Sequence, residues 1–147
     1  MAQVIVYGHR SSIEQRREAL SSAIHGAIVT TLDYPPEKKF QRFISLSDVN
    51  FIHPDDRGGD YTIIEISMFE GRTEQAKRNL IADLFARIES EAGIKPHSVE
   101  ITITETPRVN WGIRGQCRGP VTQLPGQRLA GPPLSPCSPH QRRARAR

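Results

Sequence analysis

Cysteine is scarce in this chain: of 147 residues only Cys117 and Cys137 carry a thiol, and both lie outside any recognisable apolar pattern. With no histidines at zinc spacing beside them they make no metal site, and a reducing cytoplasm is the expected setting. Long apolar runs are missing as well, which excludes a membrane span. Met1-Ala-Gln leads directly into Val4-Ile-Val-Tyr7, without the character of a secretory leader. Acidic residues stop at Glu105. Up to that point 12 Lys and Arg face 16 Asp and Glu, whereas the 8 remaining basic residues are all arginines from Arg108 onward. The net charge of +4 therefore belongs to the end of the chain, and the body is mildly acidic. That distribution excludes a basic nucleic-acid-binding domain. No P-loop, Rossmann glycine pattern or nucleophile elbow is present, and nothing calls for a cofactor.

What is there alternates. Val4-Ile-Val-Tyr7 reads as a strand, followed by a turn over Gly8-His9-Arg10-Ser11-Ser12. Ser12 offers an N-cap for a helix with Ala19, Leu20, Ala23, Ile24, Ala27 and Ile28 on one face. The prolines of Leu32-Asp-Tyr-Pro-Pro36 stop that helix. Phe40 to Leu46 forms a second strand, and Ser47 to Asp60, rich in Asp, Gly and Pro, a long loop. Tyr61 to Met68 is β-branched and apolar, a buried strand. Phe69-Glu-Gly-Arg-Thr-Glu-Gln75 turns it into a helix carrying Ala76, Leu80, Ile81, Leu84, Phe85 and Ile88, with Thr73 as cap. Gly93-Ile-Lys-Pro96 closes that helix before a last strand, Val99 to Glu105.

The two halves repeat one another at an offset of 60. Glu14-Gln15 matches Glu74-Gln75, Leu20 matches Leu80, Ile24 matches Leu84, Ile28 matches Ile88, Pro36 matches Pro96 and Phe43 matches Ile103. Each unit reads as β-α-β, over about 3–46 and 61–105. Right-handed crossovers put both helices on one face of a four-stranded mixed sheet, giving an α/β (α+β) fold. The other face carries Ile and Val and needs cover, most simply from further copies of the chain. The domain is expected over 2–116. From 117 to 147 the Pro-, Gly- and Arg-rich composition reads as a disordered tail.

The repeated unit, the Gly71-Arg72-Thr73-Glu74-Gln75 corner, Gly93-Ile94 with Pro96, the strand Val99–Glu105 and Asn110-Trp111-Gly112-Ile113-Arg114-Gly115 together resemble the tautomerase superfamily, the fold of macrophage migration inhibitory factor. The nearest flavour is the branch around malonate semialdehyde decarboxylase. The resemblance implies a homotrimer with a pocket between subunits and a cofactor-independent keto–enol tautomerase acting on a small carboxylate-bearing molecule. Its amino-terminal proline, a general acid or base in that family, is replaced by Ala2. The corresponding group here is the primary amine of Ala2, or of Met1 if that residue is retained, with His9 as the other candidate for moving a proton. Arg72 is implied as the carboxylate anchor, Trp111 and Ile113 as an apolar wall and Arg114 as a further substrate-binding residue. Two departures stand out: Glu70 occupies the place of the decarboxylase's second arginine, and Lys38 that of its acidic partner.

A non-enzymatic trimeric binding module on the same scaffold is the first alternative, and a ferredoxin-like regulatory domain with the same element order the second. His53-Pro-Asp-Asp56 with Asp60 reads as a surface turn rather than a calcium loop. His25 and His97 read as partnerless.

Overall fold

A computed structural model describes residues 2–118. The chain divides into two compact units, Met1–Glu105 and Thr106–Arg147. In the first, β1 (Ala2–His9) leads into α1 (Arg10–Leu32) and β2 (Gln41–Leu46). After a loop with two short helical turns come β3 (Thr62–Phe69), α2 (Glu74–Arg87) and β4 (Val99–Thr106). The sheet order is β2-β1-β3-β4, with β1 parallel to β2 and antiparallel to β3. It is the expected mixed sheet with two helices.

The register explains the core. Ala2, Val4 and Val6 of β1 and Thr62, Ile64, Ile66 and Met68 of β3 are buried, one residue in two, as a strand covered on one face requires. Against them pack Leu20, Ala23, Ile24, Ala27 and Ile28 of α1 and Leu80 and Leu84 of α2. Each fully buried Ile or Leu contributes about 1.5–3 kcal/mol relative to an exposed one. Ile5 pairs with Glu65, its own counterpart at the 60-residue offset. A two-fold relation between the repeats thus runs through the middle of the β1–β3 pair.

The opposite face is polar and apolar by turns. Ile5, Tyr7, Arg42, Ile44 and Ile63 lie on it, and Ile44 is exposed. The Tyr7 hydroxyl donates to Glu65 Oε2 at 3.1 Å, and this bond raises the phenol above its usual range. Arg42 Nη2 donates to Gln3 Oε1 at 2.9 Å.

Some local expectations change. The turn expected over Gly8–Ser12 is absent, since β1 continues to His9 and α1 starts at Arg10. Ser12 is consequently inside the helix, buried, and accepts a bond from Arg16 Nη1 instead of capping. Gly8 permits this abrupt change of direction: a Cβ there would lie 2.9 Å from the buried Ile13 side chain. Thr73 does cap α2, accepting from the Ala76 amide at 3.1 Å. That helix does not end at Arg87 but widens into a π-type turn over Ile88–Ala92, closed by Gly93 in the left-handed region at φ 70°.

In the second unit, β5 (Trp111–Ile113) and β6 (Gln116–Arg118) form a hairpin. Arg114 and Gly115 are its two loop residues, both left-handed at φ 54° and 76°. That is the twist a two-residue hairpin loop favours, and Gly115 adopts it without strain. Apart from Cys117 and Arg118, which belong to β6, the expected tail over 117–147 lies outside the described residues. No helix among the described residues is long and apolar enough to cross a membrane.

Candidate active site

The end of the sheet where β1 begins gathers several candidates. Ala2 is buried and pairs with Met68 near the end of β3, so the corner bearing Arg72 follows four residues later at the same end. The crossover through α1 returns the chain to this end before β2 starts, which brings Tyr34 beside Ala2. The Ala2 nitrogen donates to the Tyr34 hydroxyl at 3.1 Å. A small open pocket lies here, lined by Ala2, Val4, His25, Ile28, Tyr34, Lys38, Phe40 and Gln41. It holds a primary ammonium, an imidazole and a phenol, and no carboxylate. His25 has a partner after all: its Nε2–H donates to the Pro36 carbonyl at 2.8 Å.

Arg72 has two attachments at the neighbouring corner. Its Nη1 donates to the Leu32 carbonyl at 2.9 Å, the last residue of α1. A guanidinium there satisfies an orphan carbonyl and suits the negative end of the helix dipole. Its backbone N–H donates to Glu105 Oε1 at 3.2 Å, and Lys77 Nζ donates to Glu105 Oε2 at 2.7 Å. Lys77 first, then the Arg72 and Gly71 amides, hold the Glu105 carboxyl below its usual range against the opposing effect of burial. The anion seated at this helix start is therefore the chain's own Glu105.

His9 lies at the far end of β1, seven residues from Ala2, or roughly 23 Å along an extended strand. The structure does not bring the two together within one chain. Its ring is committed to Asp48 and His53. In the second unit Trp111 Nε1 donates to Thr106 Oγ1 at 2.6 Å, with Ile113 two residues further on the same strand and Arg114 at the hairpin tip. Among the described residues there is no group of three His, Cys, Asp or Glu that could hold a metal ion.

Tyr34 and Lys38 are the residues that sequence reasoning left without a role in catalysis. A signal existed for both. A parallel β-α-β unit must deliver the segment before its second strand to the start of its first, so Tyr34–Phe40 had to lie near Ala2.

Comparison with known proteins bears on the family and the fold. Residues 38–114 match the model of a family described as tautomerase enzyme. A probable tautomerase of Ralstonia nicotianae is 36% identical over 53 residues, covering 36% of this chain and 76% of that protein. The 2-hydroxymuconate tautomerase of Pseudomonas putida is 37% identical over 51 residues, 35% of this chain and 81% of that protein. Each of these relatives is thus less than half as long as this chain. Among solved structures, malonate semialdehyde decarboxylase superposes with a TM-score of 0.70 at 19% identity, covering 78% of this chain and 93% of that one. A fused 4-OT in an asymmetric trimer superposes with a TM-score of 0.67 at 23% identity, covering 78% and 94%. At such identities the superpositions speak for the fold, and the family match carries the kinship: this chain belongs to the tautomerase enzyme family, within the tautomerase superfamily.

Proposed function

We propose that the protein is a cofactor-independent keto–enol tautomerase for a small carboxylate-bearing substrate, working as a homotrimer. The observation that carries this reading is the contact of the Ala2 nitrogen with the Tyr34 hydroxyl in a pocket without acidic residues. Once Met1 is removed, that nitrogen is a primary amine, and such amines titrate near 7.7–8.0. A base of that strength suits removal of a proton beside a carbonyl at neutral pH and its return to the next position. Tyr34 orients the amine and relays its proton.

The substrate's carboxylate is held by cations. Lys38 lines the pocket, and Arg72 stands at the neighbouring corner with one guanidinium nitrogen fixed by Leu32. Charge-assisted bonds of this kind contribute about 1.5–3 kcal/mol. Trp111, Ile113 and Arg114 retain the substrate-contacting role that the family resemblance implies. His9 remains a candidate for proton transfer only toward a site at its own end of the sheet. Glu70 and the missing proline favour a second reading, a trimeric binding module that holds the same anion without turning it over.

Trimerisation rests on the sheet face bearing Ile5, Tyr7, Ile44 and Ile63, and on a trimer having been found for the fused 4-OT. The decisive assay is ketonisation of phenylpyruvate enol. Turnover by a trimer supports the enzyme; saturable binding of the enol without turnover supports the binding module.

A further inference from the structure

At the end of the sheet opposite Ala2, a cluster away from the pocket above closes the long loop onto β1. His9 Nδ1 lies 2.9 Å from Asp48 Oδ1, and His9 Nε2 lies 2.7 Å from His53 Nε2. His53 Nδ1 in turn lies 3.0 Å from the Pro54 carbonyl oxygen. A carboxylate and a carbonyl can only accept, so Nδ1 of both rings carries a hydrogen. Two imidazole nitrogens at 2.7 Å need a third hydrogen between them, because two lone pairs facing at that distance repel. Three ring hydrogens on two imidazoles, one more than a neutral pair holds, leave the pair with one positive charge.

We propose that His9 and His53 share one proton, and that this proton latches the 48–61 loop to the end of β1.

The surroundings fit a latch. The His9 side chain is only 12% exposed, so its charge is partly desolvated and depends on Asp48. Phe51 lies edge-on to His9 at 5.1 Å and stacks on Tyr61 at 5.3 Å, and His53 lies 4.8 Å from Tyr61. Phe51 is buried while Val49 and Ile52 on either side are exposed, so the aromatic contact and the histidine pair are what fasten this stretch. The charged groups around the pair come from several elements. Asp48, Asp55 and Asp56 belong to the loop, and Arg10 follows His9 on α1. Burial and the neighbouring Glu100 of β4 raise the Tyr61 phenol above its usual range, and Glu100 pairs with Arg57 at 3.3 Å. Arg16 and Asp60 are paired with each other at 2.9 Å. Asp48 is the acid bonded directly to the pair, so removing the shared proton turns the bridge between His53 and β1 into a repulsive contact, while Arg57 and Asp60 keep the far half of the loop tied to Glu100, Ser98 and Arg16. The two-fold relation adds a reason for the loop to be there. The offset of 60 maps Ala2 onto Thr62 and Phe69 onto His9, so the loop joins β3 at the end of the sheet related by the two-fold to the end bearing Ala2.

The test is nuclear magnetic resonance of the full-length, uniformly 15N-labelled protein across neutral pH. Below the transition both Nδ1 atoms should appear as N–H, and the His9 and His53 ring signals should move together in one shared event. Passing through that event, amide exchange in 48–54, corrected for base catalysis, should speed up about tenfold while the β1–β3 amides do not change. His53→Gln should make loop exchange insensitive to the same pH change, and Asp48→Asn should shift the event. Independent one-proton transitions of the two rings, or loop exchange that ignores their titration, would overturn the latch in the wild-type protein alone. So would a chelator-sensitive change of both ring signals with one equivalent of Zn2+ or Cu+, which would put a metal ion between the rings.

Discussion

The Ala2 nitrogen and the Tyr34 hydroxyl meet at 3.1 Å across 32 residues of chain, and both residues are buried. This bond joins the first residue of β1 to the segment that follows α1. Tyr34→Phe removes the acceptor and strands a buried N–H, which costs about 1–3 kcal/mol. Under the proposed mechanism the same change is expected to lower kcat more than it raises KM, because it touches the amine assigned to proton transfer and not the proposed carboxylate anchor. Urea midpoints at a fixed protein concentration and steady-state ketonisation kinetics check the two halves separately.

The corner at Arg72 should be sensitive to acid. Glu105 is held ionised by Lys77 and by two backbone amides, so its folded value lies below the ordinary 4.5. A carboxyl lowered by folding adds stability that is present above its unfolded value and is lost as pH falls through the folded one. Glu105→Gln is therefore expected to be less stable than wild type at neutral pH, by on the order of 1 kcal/mol for a partly exposed pair. The gap should close as pH falls below about 4.5, the ordinary carboxyl value. Denaturant midpoints for both proteins at pH 7 and in acid measure it. A gap that persists in acid would point to lost packing instead.

The uncovered sheet face gives a third expectation. Ile5 sits opposite Glu65 at its centre. A glutamate at position 5 would set like charges directly across two strands and put a charge into any interface formed there. Under the proposed trimeric assembly, Ile5→Glu should leave a monomer by sedimentation, with the far-ultraviolet circular dichroism retained. A wild-type protein that sediments as a monomer would remove the proposed oligomer.

The fold was readable because its signals were redundant. Leu20, Leu80, Ile24 and Leu84 recur at helical spacing in two copies, and the strands alternate as a one-sided sheet must. The helix start was misread at Gly8–Ser12, where Ser12 looks like a cap. The deciding fact there is tertiary: a buried Ile13 packs where a Gly8 side chain would be. The Arg72 corner was legible as a cation at a helix start. Its occupants were not, since the Leu32 carbonyl and Glu105 arrive from positions 40 and 33 residues away. Tyr34 looked like part of a helix stop because its bond to Ala2 has no local signature. For His9 the sequence offered a lone histidine at a strand end. Its partners Asp48 and His53 are 39 and 44 residues distant, and only the loop's return across β1 pairs them.

The most direct measurement is ketonisation of phenylpyruvate enol by the protein, with the α-amine either free or selectively acylated near neutral pH. Arg72→Ala serves as the companion variant. Acylation is expected to lower kcat by about 100-fold or more, the usual contribution of a positioned general base. Arg72→Ala should lower kcat/KM by roughly 10- to 100-fold, chiefly through KM, as expected for loss of one charge-assisted bond. Turnover unchanged by both would contradict the assignment of this amine and this arginine to the reaction.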